Sequence, residues 1–270
     1  MSSDDTDAHL VEEIKHAYGG AVDGWASGPT PLYRRLAQAL VEASPENLTD
    51  RDVLDLGAGT GVASAVLLEA GARPVGVDIA WEMLRHRASQ RPPGVAGAAR
   101  ALPFRPGAFD AVVAAFCLNH LPDPAGGLAE CRRVTRSGGV VLASTFPVDA
   151  EHPAKAIVEA TLEEFGYQRP PWYQALKERI VALTGDPDAI VRAATDAGLV
   201  DVEVARRDVE AGVDRPALAV EWRLNMPHTL AFIAALAPES LAALRSRAIS
   251  SLSDDLPSAV PILILTATVP

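Results

Sequence analysis

The stretch from Arg51 to Leu84 reads "RDVLDLGAGTGVASAVLLEAGARPVGVDIAWEML". It opens on a short apolar run, "DVLDL", and passes through a cluster of glycines. It then continues as "GVASAVLLEAG" with helical character and reaches a second apolar run, "PVGVDI". Strand, glycine loop, helix and strand in that order make a βαβ unit, whose strands must be parallel. A glycine loop between strand and helix lets a ligand come close to the backbone, with the helix N-terminus facing it.

The loop narrows the choice of ligand. Gly57-Ala58-Gly59-Thr60-Gly61 is G-x-G-x-G, and Val62 stands where a dinucleotide fingerprint carries its third glycine. The phosphate-cradling G-x-x-x-x-G-K-[ST] pattern does not occur. Asp78 closes the second strand 21 residues after Gly57, near the spacing that sets a carboxylate on a ribose diol. Asp55 sits directly before the loop. A second carboxylate there repels a pyrophosphate and suits a ligand carrying an ammonium and a sulfonium.

Outward from this unit the alternation continues. "AWEMLRHRASQ" reads as a helix, "GVAGA" as a weak strand and "AFDAVVAAF" as a strong one. "PAGGLAECRRVTRSGG" follows as a helix and "GVVLASTF" as a strand. Such a rhythm makes a parallel sheet covered on both faces. Two helices precede it. After Phe146 the pattern turns mostly helical, interrupted by "LVDVEVARRDVEAG" and closed by the strand "AVPILILTATVP". The expected organisation is an N-terminal helical lid over residues 1–48 and an α/β core over 49–270. Helical cap insertions are expected at about 147–185 and 213–255.

Composition bounds the partners. The 270-residue chain is 49% hydrophobic and carries a net charge of −11. That charge disfavours nucleic acid and anionic membranes, which need a clustered basic footprint. The acidic N-terminus lacks the apolar core of a signal peptide. The longest apolar runs are short of the ~18 residues of a membrane span. Cys117 and Cys131 lack zinc-ligand spacing, so reduced, packing thiols in a cytoplasmic protein are expected.

Four ordered motifs carry a family resemblance. "VLDLGAGTG" and "VGVDIAWEML" resemble the first two motifs of the class I S-adenosylmethionine-dependent methyltransferases. "ALPFRPGAFDAVVAAFCLNHLPDP" and "ECRRVTRSGGVVLAS" are similar to the stretches that follow in that family's type 11 small-molecule group. The match covers about residues 50–146. The resemblance implies a seven-stranded, mostly parallel, doubly wound sheet with an antiparallel last strand. It implies S-adenosyl-L-methionine as cofactor, with Gly57, Ala58, Gly59 and Gly61 at the methionine half and Asp55 beneath them. Asp78 would hold the ribose, Ile79 and Met83 the adenine, with Ala99 and Arg100 nearby. Ala115 and Phe116 would border the sulfonium. One position departs from the family: Ala98 stands where an acidic residue usually receives the adenine amino group.

The expected reaction is methyl transfer to a small organic acceptor, at a hydroxyl or carboxyl oxygen of a metabolite or natural product. N- or C-methylation remains an alternative, as does a cofactor-retaining cyclase or pericyclase without net methyl transfer. A nicotinamide oxidoreductase is disfavoured by the missing third glycine. A hydroxyl nucleophile needs a base, and His120 in "FCLNHLPD" is the first candidate, ahead of His228 and Glu221. Tyr18, Trp25 and Tyr33 from the lid, with Trp172, Tyr173, Trp222, Met226 and Phe232 from the cap, are candidates for an aromatic acceptor pocket. No metal is expected, and the chain is expected to act as a monomer or homodimer.

Overall fold

The computed structural model describes residues 3–150 and 152–270. Their strands are β1 (Asp52–Leu56), β2 (Arg73–Asp78), β3 (Gly94–Ala96), β4 (Phe109–Ala115), β5 (Thr135–Thr145), β6 (Val200–Glu210) and β7 (Ala259–Thr268). They form a seven-stranded sheet in the order β3-β2-β1-β4-β5-β7-β6. The pairs β1–β2, β2–β3, β1–β4 and β4–β5 are parallel. The last strand, β7, slots between β5 and β6 and is antiparallel to both. This is the doubly wound, mostly parallel architecture expected from the sequence.

The central strands β1, β4, β5 and β7 are apolar on both sides because they feed two cores. Val53, Val113, Leu142 and Ile264 point to one face, where α3 (Thr30–Glu42) and α4 (Val62–Glu69) cover them with Leu36, Leu40, Val66 and Leu67. Their neighbours Leu54, Val112, Val141 and Leu265 point to the other face. There α6 (Pro124–Val134) and α10 (Pro187–Asp196) supply Leu128, Cys131, Ile190 and Ala194. The two-residue period of a strand makes this division unavoidable. Burying each of these large side chains contributes about 1.5–3 kcal/mol. Cys117 and Cys131 are free, buried thiols in the second core.

The remaining helices sit over one rim of the sheet. Before β1 come α1 (Ser3–Gly19) and α2 (Val22–Ser27). Between β5 and α10 come α7 (Pro153–Glu164), α8 (Pro171–Arg179) and α9 (Val181–Thr184). Between β6 and β7 come α11 (Pro216–Leu224), α12 (Pro227–Ala235) and α13 (Pro238–Ser251). A third core joins α7, α11, α12 and α13 through Val158, Leu162, Val220, Leu224, Ile233 and Leu244. A fourth, smaller one seats α1 on α8 and its neighbour through Leu10, Ile14, Leu176 and Ile180.

Two segments differ from their sequence reading. "AWEMLRHRASQ" is helical only over α5 (Trp81–Arg85), because Arg87 turns left-handed at φ +48° and a single tight turn follows. The helix expected through "VTRSGG" ends at Val134, and Thr135 already belongs to β5. The stretch "RPALAVEWRLNMPHTLAFIAAL" is helical as expected and divides in two, since Pro227 cannot continue α11 and opens α12.

Candidate functional site

The site forms where the carboxyl ends of β1, β2 and β4 meet α1. Gly57 leaves β1 at φ +72°, and a Cβ there would lie 2.8 Å from both the Cβ and Sγ of Cys117. Only glycine fits that turn. The loop is bonded to β2: the amides of Gly57 and Ala58 both donate to the Val77 carbonyl, at 2.8 and 3.0 Å. Gly59, at φ +51°, has open space where a side chain would stand, so its bare backbone edges the cavity beside it.

That cavity has a volume of about 410 Å³ and is lined by Gly57, Ala58, Gly59, Asp78, Ile79, Met83, Ala98, Ala99, Arg100, Ala115 and Phe116. The lid closes it with Tyr18, Trp25 and Tyr33, and the segment after β4 adds His120. The structure therefore brings most of the sequence-derived cofactor candidates to one space. Asp55 and Gly61 lie behind that wall.

The carboxylates are held in distinct ways. Asp78 accepts the Gly59 amide at 2.8 Å on one oxygen and the Ala80 amide at 2.8 Å on the other. Each oxygen keeps a further lone pair for a ligand hydroxyl. Burial raises the Asp78 pKa despite those bonds. Asp55 is buried beneath the loop and accepts the Ser64 hydroxyl at 2.5 Å on one oxygen, while its other oxygen has no partner. Burial pushes its pKa up to about 6 against the pull of Ser64 and of the Arg91 charge.

Arg91 carries no motif signal in the sequence. Its Nη1 donates to the Gly59 carbonyl at 2.7 Å and to the Met83 carbonyl at 3.3 Å. It thus ties the glycine loop to α5 from behind, and burial lowers its pKa. A second clamp explains why two of the motifs travel together. Glu130 accepts the Leu102 amide at 2.7 Å, while Arg133 donates to the Leu102 and Phe104 carbonyls at 2.9 and 2.8 Å. The two side chains pair at 2.6 Å. Helix α6 thereby fixes the "LPF" segment, and through it Ala98 to Arg100. At Ala98 the cavity meets a methyl group where the family pattern has a carboxylate.

At the opposite end an aromatic chain runs from lid to sheet. His120 meets Tyr18 edge-on, Tyr18 meets Trp25, Trp25 meets Tyr33, and Tyr33 meets Phe116, all with ring centroids within 5.7 Å. Phe116 sits in the left-handed region at φ +54°, its amide bonded to the Ser144 carbonyl at 3.1 Å. Such strain concentrates at functional sites. The His120 Nε2 faces the Tyr18 hydroxyl at 3.0 Å and the Asn119 amide nitrogen at 3.3 Å. Burial keeps Tyr18 protonated, so two donors point at Nε2 and the ring proton belongs on Nδ1. That nitrogen is buried without a partner. Desolvation lowers the His120 pKa to about 4, which keeps the ring neutral.

The cap candidates lie elsewhere. His228 is buried and stacks on Tyr173 with centroids 3.8 Å apart. Glu221 accepts Arg245 at 2.9 Å and the Asn225 side chain at 3.0 Å. Trp222 and Met226 pack into the first sheet core, Phe232 packs beside Tyr167, and Trp172 lies against the α1–α8 contact. Among the described residues no group of His, Cys, Asp and Glu is arranged to hold a metal. No helix among them is long and apolar enough to cross a membrane.

Comparison with known proteins agrees with this geometry. A family model described as "Methyltransferase domain" matches residues 54–143. The chain is 35% identical over 164 residues to a demethylmenaquinone methyltransferase of Mycolicibacterium gilvum, covering 61% of this chain and 66% of that protein, just under two thirds of its length. It is 31% identical over 220 residues to the demethylmenaquinone methyltransferase of Streptomyces avermitilis, covering 80% of this chain and 87% of that protein. Among solved structures it resembles Haemonchus contortus phosphoethanolamine N-methyltransferase 2 in complex with S-adenosyl-L-methionine. That likeness has a TM-score of 0.57 and 20% identity, over 87% of this chain and 52% of the other.

Proposed function

This chain belongs to the S-adenosylmethionine-dependent methyltransferases, and from that premise we propose that it methylates an oxygen of a small, ring-bearing organic acceptor. The donor set fits the cofactor. Asp78 offers free lone pairs for a ribose diol, Gly59 leaves backbone bare beside the cavity, and the unpaired oxygen of Asp55 adds negative charge behind the loop. Bound there, S-adenosylmethionine supplies an electrophilic methyl group on a sulfonium and leaves as S-adenosylhomocysteine. The protein's share of such a displacement is alignment and exclusion of water. The closed aromatic run from His120 to Phe116 provides both.

The observation that carries the acceptor reading is the unpartnered Nδ1 of a neutral His120 on the cavity wall. With Nε2 accepting from Tyr18, Nδ1–H is a donor awaiting an acceptor. An ionised phenol or a carboxylate oxygen supplies one, and it needs no base. His120 becomes a base toward a neutral hydroxyl only if Tyr18 releases Nε2. A ring-bearing acceptor accords with the aromatic wall and with relatives named for demethylmenaquinone. The setting that completes the reading is a cytoplasmic monomer or homodimer acting on a metabolite or natural product.

The test is turnover with methyl-labelled S-adenosylmethionine and a panel of phenols and aromatic acids. Acceptor-dependent release of S-adenosylhomocysteine and label on an oxygen are expected. His120→Ala should lower kcat by about 100-fold, within the range for a group acting on the reacting atoms, and leave S-adenosylhomocysteine affinity unchanged. Product without S-adenosylhomocysteine would mean a cyclase, and label on carbon would move the reading to C-methylation.

A further inference from the structure

The cap interior holds a guanidinium that, among the described residues, meets the face of Trp222 but no hydrogen-bond acceptor or carboxylate. Arg223, on α11, is only 7% exposed. Its side chain makes no hydrogen bond or ion pair among the described residues, and lies 5.4 Å from the Trp222 ring. Lys155, on α7, is a second cation close enough to feel the Arg223 charge. Its Nζ donates to the Ala150 carbonyl at 3.0 Å and sits 4.8 Å above the ring of Phe146. Two more polar groups in this region are buried without partners, the Trp222 Nε1 and the Thr145 Oγ1 at the end of β5. A buried charge left unpaired is strongly destabilising, so an acidic protein that keeps this one has a use for it.

The place of these groups says what the use is. Phe146 packs on Phe116 with centroids 4.6 Å apart, and Phe116 is cavity wall. Lys155 therefore stands one ring behind the methyl-transfer end of the cavity. It also stands beside the residue that follows β5, at the edge where open α/β sheets bind ligands. We propose that Arg223 and Lys155 seat a carboxylate on the methyl acceptor, with Trp222 Nε1 and Thr145 Oγ1 as further donors to it. The acceptor class is thereby narrowed to aromatic or polycyclic acids, with the anion on the cap side of Phe146. The inference rests on the methyltransferase reading above. Burial and the Arg223 charge together push the Lys155 ammonium down to about 7. A carboxylate between the two cations restores its charge, as it restores a partner to Arg223.

The test uses the full chain saturated with S-adenosylhomocysteine and two acid–amide pairs, benzoate with benzamide and 1-naphthoate with 1-naphthamide. The wild type should bind the acids at least about tenfold more tightly than the amides, the discrimination expected of charge-assisted hydrogen bonds. Arg223→Met should erase that preference without lowering the melting temperature of the ligand-free protein, because it replaces an unpaired charge by an apolar chain of similar length. Lys155→Met should reduce the preference and leave the fold intact. Equal response to acid and amide, including no response to either, overturns the inference, as does an acid preference that survives both variants. Binding of S-adenosylhomocysteine is read in the same titrations. Its absence overturns the methyltransferase reading, whereas its presence with no acid preference overturns only the carboxylate seat.

Discussion

The cofactor half of the molecule and the cap satisfy their polar groups to different degrees. Around the glycine loop, most charge is answered by backbone: Asp78 by the amides of Gly59 and Ala80, Arg91 Nη1 by the carbonyls of Gly59 and Met83, Arg133 by those of Leu102 and Phe104, with Asp55 Oδ1 and the other two Arg91 nitrogens left without a hydrogen bond. In the cap region, Trp222 Nε1 and Thr145 Oγ1 have no hydrogen-bond partner among the described residues, and Arg223 meets only the Trp222 ring. A site for a fixed cofactor can be built in advance, with only the last lone pairs left open. A site for an acceptor is completed by what the acceptor brings. The difference separates what is prearranged from what waits for its ligand.

The sharpest break of this contrast comes from Asp78→Ala. It removes the side chain that pins Gly59 and the lone pairs offered to the ribose, and S-adenosylhomocysteine affinity by calorimetry should fall about 10- to 100-fold. Next is pH. The buried Asp55 has its pKa raised from 3.8 to about 6. Its contribution to stability is therefore present below pH 3.8 and lost as pH rises through about 6. Affinity for a cationic cofactor runs the other way, because the ligand prefers the carboxylate. It should weaken by up to about tenfold per unit as pH falls below 6, and Ser64→Ala should move that break upward. A smaller effect is expected at the α6 clamp. Glu130→Gln should lower stability to denaturant by about 1–2 kcal/mol and loosen the cofactor through Ala98 to Arg100. The smallest change strengthens binding: Ala98→Asp restores an acceptor for the adenine amino group and should tighten S-adenosylhomocysteine by about fivefold. By contrast Glu221→Gln, in the cap, should leave that affinity unchanged. If it does not, the two halves are coupled and the contrast fails.

Much of the cofactor half was legible because its chemistry is local. Gly57, Gly59 and Asp78 must be those residues at that spacing, since a left-handed turn against Cys117 and a carboxylate at a strand end admit few substitutes. The strand pattern followed from two-sided burial, which leaves continuous apolar runs. Arg91 was not legible, because an arginine between a short helix and a weak strand has no pattern to mark it. Its role appears only when the chain folds it behind Gly59. The cap was harder for the same reason. Tyr18 and His120 are 102 positions apart and meet through the lid. His228 and Glu221 ranked behind His120 in sequence, and nothing there showed that their partners Tyr173 and Arg245 come from other helices. Arg223 lies between Trp222 and Leu224 in a helix that reads as ordinary core, so only its depth and lack of a partner reveal it.

The central claim is that the loop, Asp55 and Asp78 select an adenosyl sulfonium over a dinucleotide. Parallel calorimetric titrations of the wild type with S-adenosylmethionine, S-adenosylhomocysteine and NADH test it most directly. Saturable binding of the first two and none of the third is the predicted result. Tighter binding of NADH, or no heat from either adenosyl ligand at pH values above 6, would contradict it.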